Sequence, residues 1–319
     1  MQQYLVYFMF VAGFVLIIKG GDFLVDSAIK IAKATGISEV IIGATIVSLA
    51  TTLPEILVSV IATARGSIEF AVGNATGSML SNLGLTLALL LSIKTVKIKG
   101  RALPVKAAYL VASALLAYVC IALDRKLDAW EGCVLLGGFL LFMAINVVEA
   151  KRAAKNNKND SEYCKEETGS KTNMVLLFLL GAVGIGAGAW LLVEYGTKVA
   201  GILGVPDRLI AVTMVAIGTG LPELVTGLAS IRKDKAHLCI GNIIGANIIN
   251  GSLLLGLVSI IGNGIALQGS VFLELPLIML ISLILVVPLI LKKRSYRWQG
   301  FTMLAIYAAF ITYNIIAVR

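Results

Sequence analysis

Long apolar runs alternate with short polar interruptions along almost the whole chain. Ten of these runs approach the roughly twenty residues that a bilayer's hydrocarbon core demands of a helix. They lie at Gln3–Gly20, Ser38–Ala64, Glu69–Ile93, Ala102–Leu123, Ala129–Val148, Met174–Val199, Arg208–Ile231, Ala236–Ile261, Ser270–Leu291 and Trp298–Val318. The predicted fold class is therefore an all-α integral membrane protein with ten transmembrane helices. Five spans precede the only long polar run, Lys151–Asn173, and five follow it. The chain divides into a first half at 1–149, a linker at 150–173 and a second half at 174–319. Mixed charges make the linker a mobile tether, too short for a folded sensing domain.

Composition sharpens this picture. Of 319 residues, 58% are hydrophobic and 14% charged, with mean hydropathy +0.93. A soluble domain of this size would carry far more polar surface. The first span lacks a basic leader and a clear cleavage site, so it reads as an anchor. The net charge of +9 is a topology signal. Sorting loops by side places 20 of the 27 Lys and Arg with the loops after spans 1, 3, 5, 7 and 9. The positive-inside rule makes that side cytoplasmic. Both termini are expected outside, the linker inside, and the protein in the plasma membrane as a multi-pass span. A nucleic-acid partner is not expected. Cys120, Cys133, Cys164 and Cys239 are scattered with no CxxC, and His237 is the only histidine, at a loop edge.

Inside the apolar pattern lies a repeat. At one offset of 168 residues, Gly20/Gly188, Lys30/Lys198, Gly36/Gly204, Thr45/Thr213, Thr51/Thr219, Pro54/Pro222, Glu55/Glu223, Gly73/Gly241, Asn74/Asn242, Gly77/Gly245 and Asn82/Asn250 match, with no insertion. Each half holds five spans, an odd number, so the halves enter the membrane in opposite senses. That is the inverted-repeat plan of secondary transporters, whose substrate sits near the midplane between repeats.

Two motifs carry the chemistry. The first half reads GATIVSLATTLPE and then AVGNATGSMLSN; the second reads AVTMVAIGTGLPE and then CIGNIIGANIIN. Glu55 and Glu223 each follow a proline within an apolar run, with no Lys or Arg nearby in the same span. An acid at the bilayer centre costs about 2.5–3.5 kcal/mol on insertion scales. Such a pair needs protons or a cation. Pro54 and Pro222 lack an N–H and crowd the carbonyls of Ala50 and Gly218, so helix breaks are expected there. Freed carbonyls near Ser48–Ala50 and Ala216–Gly218 would turn to an ion. Ser48, Thr51, Thr52 and Glu55 share one helical face, as do Thr219 and Glu223, and Ser78 with Asn82. Asn250 repeats Asn82. Gly73, Gly77, Gly241 and Gly245 are expected to let helices approach closely. Asn74 and Asn242 read as structural, at helix starts. The glycines at 181, 184, 186 and 188 mimic a nucleotide loop but lie in a span, where close packing is the better reading. The site offers carboxylate, hydroxyl, amide and carbonyl oxygen, which suits a hard cation such as Ca²⁺.

At these residues the chain resembles the sodium/calcium exchangers of the cation/calcium antiporter superfamily, and it is most similar to the compact prokaryotic members. ATTLPE with GNATGSMLSN and GTGLPE with GNIIGANIIN look like that family's two α-repeats. The resemblance implies a central Ca²⁺ site at Glu55, Glu223, Thr51 and Thr219, with sodium sites involving Thr52 and Ser78. It implies that sodium entry expels calcium while two helices slide over a core. Gly220 and Ala246 stand where the family usually has serine, and Asn250 where some members have Asp.

The function expected is antiport of Ca²⁺ for Na⁺ by alternating access, with H⁺ coupling, or another divalent cargo, as the alternative. No cofactor is called for beyond the transported ions Ca²⁺ and Na⁺ or H⁺. The bilayer is the expected surrounding, and no obligatory protein partner is expected, the monomer being functional. A passive channel fits poorly, since filters repeat about an axis along the membrane normal. An intramembrane enzyme fits worse, with no HExxH or GxSxG.

Overall fold

A computed structural model describes residues 2–97, 102–122, 125–156, 171–202, 207–262, 265–266 and 271–317, with backbone alone across 207–219. Ten helices account for nearly all of it. They are α1 (Gln2–Thr35), α2 (Glu39–Ala64), α3 (Ile68–Ile93), α4 (Ala102–Ala122), α5 (Ala129–Asn156), α6 (Lys171–Ile202), α7 (Asp207–Arg232), α8 (Ala236–Gly262), α9 (Val271–Lys292) and α10 (Arg297–Ala317). Among the described residues, eight of the ten are long and apolar enough to cross a membrane.

The outer surface explains the composition. Tyr4, Phe8, Leu140, Val183, Trp190 and Phe301 each leave more than 60% of their area exposed. Water would not tolerate such a belt, whereas lipid requires one. Burial then sorts the helices. The most apolar stretch of α8 is 83% buried inside the protein and that of α3 72%, against 17% for α5 and 33% for α1. Helices α2, α3, α7 and α8 form the centre, and α1 and α6 lie across it toward lipid.

The repeat governs packing as well as sequence. Gly13 and Gly181 are equivalent positions, as are Gly20 and Gly188. A Cβ on Gly188 would fall 2.8 Å from the Gly13 carbonyl, and one on Gly181 would fall 2.9 Å from that of Gly20. Each contact is the other's mirror. The same exchange links Gly132 of α5 to Gly256 of α8 and Gly300 of α10 to Ala88 of α3. Helix ends repeat too. Gly66 and Asp234, 168 residues apart, both take left-handed φ (82° and 60°) after α2 and α7. Behind each, a backbone N–H reaches back five residues, Ser67 to Ala62 and Lys235 to Ser230, closing the helix with a Schellman-type bond. Short two-residue strands, Lys126–Leu127 and Ile265–Ala266, pair antiparallel, and their mirror is a single bridge between Lys97 and Arg294. The all-α membrane fold of two inverted five-helix halves is thus written at every level of the backbone.

Some expectations need correction. Helix α1 does not stop at Gly20; it runs 34 residues, and α6 runs 32. At ~1.5 Å per residue each is close to 50 Å long, well beyond a hydrocarbon core. Glycine ends a helix only where the backbone must turn, and Gly20 instead lies flat against α6. The polar continuation of α1 is held by Lys233, which pairs with Asp26 at 2.9 Å and Asp22 at 3.5 Å. Helices also reach into the polar run, α5 to Asn156 and α6 from Lys171, while residues 157–170 lie outside those described.

Candidate cation site

The two motifs converge at the centre of the bundle. Glu55 on α2 is 1% exposed and Glu223 on α7 is 0% exposed. Neither makes an ion pair among the described residues. Both carboxylate oxygens of Glu55 and Oε2 of Glu223 are buried without any hydrogen-bond partner there. Thr52 Oγ1 of α2 donates toward Glu223 Oε1 across 3.5 Å, so the helices meet at this point.

More unpartnered oxygen surrounds the pair. Ser78 Oγ, the whole amide groups of Asn82 and Asn250, and Thr86 Oγ1 are all buried and unpartnered among the described residues. Asn247 bonds Ile243 through Nδ2, which leaves its Oδ1 free. Buried polar groups are bonded in the great majority of cases, so a cluster of exceptions has a cause. Apart from single atoms of Asp22 on α1, Asn146 on α5 and Ser282 on α9, the exceptions sit on α2, α3, α7 and α8, the helices that carry the two glutamates and the repeated asparagines. A cation would satisfy the oxygens of such a set at once.

Local backbone helps to present it. The α-helical ladder gives way to π turns at Asn82–Leu87 and Ile249–Leu254. Both turns include the repeated asparagine, and π turns frequently mark functional sites. A third π turn, Gly43–Val47, precedes the motif of α2. The expected breaks at Pro54 and Pro222 are absent as breaks: α2 and α7 stay helical through both prolines. Each proline removes one bond from the ladder, yet packing on both sides holds the helix. The irregular turn lies upstream of Pro54 instead.

The other predicted residues divide. Thr51 is buried and donates toward Ser48 O (3.3 Å) and Asn242 Oδ1 (3.4 Å). Ser48 donates to Thr45 O at 3.1 Å, and its Oγ lies 2.6 Å from where a Cβ on Gly245 would stand. It therefore lines the seam between α2 and α8. Gly241 and Gly245 do permit close approach, to the carbonyls of Val40 and Ala44 at 2.5 and 2.6 Å from a notional Cβ. At Gly73 and Gly77 no described atom comes within 4 Å of such a Cβ. The side chains of Thr219 and Ala216 lie outside those described. Asn74 and Asn242 are not at helix starts. Asn74 Nδ2 donates to Ser59 at 2.9 Å, and Asn242 Nδ2 to Thr226 at 3.2 Å, tying α3 to α2 and α8 to α7. The periodicity missed these cross-links, because Gly-Asn reads locally as a turn. Among the described residues no group of three or more His, Cys, Asp or Glu occurs. The donor set is hard oxygen with two charges.

Comparison with known proteins decides the family. The profile described as sodium/calcium exchanger protein matches twice, at residues 5–148 and 173–316, the same 168-residue step as the motifs. The chain belongs to the sodium/calcium exchanger family. CaxA of Alkalimonas amylolytica is 37% identical over 79% of this chain and 80% of its own. The sodium/calcium exchanger MaX1 of Methanosarcina acetivorans is 28% identical, over 94% and 95%. A structure of the sodium-calcium exchanger NCX_Mj soaked with Na⁺ superposes with TM-score 0.82 at 28% identity, covering 97% of this chain and 98% of that one.

Within this exchanger the halves differ at the site. The repeat partner of Thr52 is Gly220, and that of Ser78 is Ala246. Two hydroxyls present in the first half are therefore missing from the second. Both positions are buried.

Proposed function

We propose that this exchanger is a secondary antiporter moving Ca²⁺ against Na⁺ across the cell membrane by alternating access. The observation that carries the reading is the pair of buried carboxylates with no protein partner among the described residues. Two negative charges match one Ca²⁺ or two Na⁺, so either load leaves the dry site near neutral. An empty site holds two uncompensated charges, each costing several kcal/mol in low dielectric. The unloaded carrier therefore resists crossing, and that resistance couples the two fluxes. Glu55, Glu223, Thr51 and Thr219 form the calcium set. Ser48, Thr52, Ser78, Asn82, the Ala216 carbonyl and Asn250 complete the cation pocket. The names of MaX1 and NCX_Mj support sodium as the counter-ion.

In the membrane the basic loops face the cytoplasm, both termini face outside, and the 150–173 linker joins the halves 1–149 and 174–319 inside. The monomer suffices, since all ligands come from one chain, and no enzymatic step is involved. The loss of hydroxyls at Gly220 and Ala246 favours one second reading, in which protons on Glu55 and Glu223 replace sodium. Calcium-45 uptake into proteoliposomes, with Na⁺, K⁺ and H⁺ gradients imposed in turn, separates the two. Sodium-driven uptake at clamped pH is expected. Flux that follows pH and ignores sodium overturns the first reading. Glu55→Gln or Glu223→Gln is expected to abolish exchange in protein that still folds, and retained transport in either would end the assignment.

A further inference from the structure

The asymmetry between the halves has a counterpart on α3. In the first half, Thr52 supplies a hydroxyl beside Glu223. The two-fold relation places residue 220 beside Glu55 in the same way, and residue 220 is glycine. A Cβ built on Gly220 would stand 3.1 Å from Ser81 Oγ and 4.0 Å from Ser81 Cβ, with no other described atom within 4 Å. The hydroxyl of Ser81 thus occupies the space that a side chain at 220 would fill.

Ser81 has no repeat partner that could do this. Its equivalent is Ile249, buried and apolar. Most buried hydroxyls in the bundle bond a carbonyl one turn back, as Thr76 does to Val72, Thr226 to Pro222 and Ser230 to Thr226. Ser81 is 5% exposed and makes no such bond among the described residues, so its oxygen remains free to bind. It also lies one helical turn from Ser78 and next to Asn82, both unpartnered. A residue kept only for its small size would serve equally as alanine.

We propose that Ser81 is a sodium ligand on the Glu55 side of the pocket, its hydroxyl replacing the one absent at Gly220. The assignment rests on the reading above that Glu55 and Glu223 hold the exchanged cations. It makes a reciprocal claim: one hydroxyl is needed, from either helix, and the two positions contend for the same volume.

The test is a swap in four proteins, wild type, Ser81→Ala, Gly220→Ser and the double variant. Two readouts are taken, the sodium dependence of calcium-45 flux and the thermal stabilisation of detergent-solubilised protein by NaCl. Loss of one ligand is expected to raise the half-effective sodium concentration about tenfold in Ser81→Ala. The double variant is expected to return to within about twofold of wild type. Gly220→Ser alone gains nothing, because its side chain meets Ser81. Should Ser81→Ala fail to fold, Ser81→Cys keeps the volume while replacing hard oxygen with sulfur, and the same loss is expected. Wild-type sodium dependence in folded Ser81→Ala or Ser81→Cys, no recovery in the double variant, or no sodium dependence in wild type would each overturn the assignment. Glu55→Gln run alongside tells the failures apart: dead Glu55→Gln with normal Ser81→Ala sinks only the role of Ser81, whereas active Glu55→Gln sinks the pocket itself.

Discussion

A single carboxylate in the dry centre of a bundle is costly, and its neighbours reveal what offsets that cost. Glu55 and Glu223 have hydroxyls and amides around them but no fixed cation among the described residues. A permanent lysine would neutralise the site and leave nothing to transport. Neutral oxygens can bind an ion and then release it. Thr52 is the clearest instance, with its hydroxyl 3.5 Å from Glu223. Thr52→Val keeps the shape and removes the oxygen. We expect it to weaken cation dependence of calcium flux about tenfold with little change in melting temperature; a large loss of stability with unchanged cation dependence would instead mark Thr52 as packing. Conversely, Ala246→Ser restores a hydroxyl opposite Ser78, and sodium affinity should rise in a titration of flux. An unaltered titration would place residue 246 off the ion path.

Helices α1 and α6 meet along a glycine seam whose geometry is closer than any side chain permits. A Cβ on Gly20 would lie 2.7 Å from the Ile185 backbone nitrogen. On Gly186, the residue after Ile185 in α6, it would meet no described atom within 4 Å. Gly20→Ala should therefore push the helices apart, with an overpacking cost of about 1–3 kcal/mol. Gly186→Ala should be neutral or slightly stabilising, since alanine favours helix. Thermal denaturation of the two variants in detergent checks this; equal melting temperatures would show that the seam yields without cost. The seam also shows what sequence could and could not reveal. Inversion, the acid pair and the ten spans were legible, because burial and periodicity act locally and repeat at a fixed step. The length of α1 was not, since Asp22, Asp26, Lys30 and Lys33 read as a loop until Lys233, in the turn after α7, holds two of them. The π turns at Asn82 and Asn250 likewise depend on tertiary packing. By contrast, Trp130/Trp298, Gly132/Gly300, Phe142/Phe310 and Asn146/Asn314 keep the 168 step through the fifth helix of each half. That extension was present in the residues and becomes evident once α5 and α10 are seen to pack alike. Ser81 could not be found by symmetry at all, because it answers a missing group rather than a repeated one.

For the molecule as a whole, inversion and charge together set what a transport cycle can carry. Charge left uncompensated in a low-dielectric pocket opposes the switch of access, so loads that leave the pocket near neutral are the ones expected to cross. A hydroxyl from Ser81 adds a ligand but no charge, and Asn250 adds an amide where a carboxylate would raise the count. Only Glu55 and Glu223 bear charge among the described buried residues of the two motifs. With two negative charges, a third Na⁺ would leave net positive charge in a low-dielectric cavity, at a cost that grows as water is excluded. The chain is therefore expected to exchange two Na⁺ for one Ca²⁺, with no net charge moved. Calcium-45 uptake by proteoliposomes under a fixed sodium gradient should then be the same whether valinomycin and K⁺ clamp the interior negative, zero or positive. A rate that changes several-fold with clamped potential would require a third sodium and refute the charge argument. Asn250→Asp supplies the internal control. Its added carboxylate provides the charge a third Na⁺ needs, so the variant should acquire the voltage dependence that the native chain lacks. If both proteins ignore voltage, position 250 does not take part in charging the site; if both respond to it, the two glutamates do not set the stoichiometry.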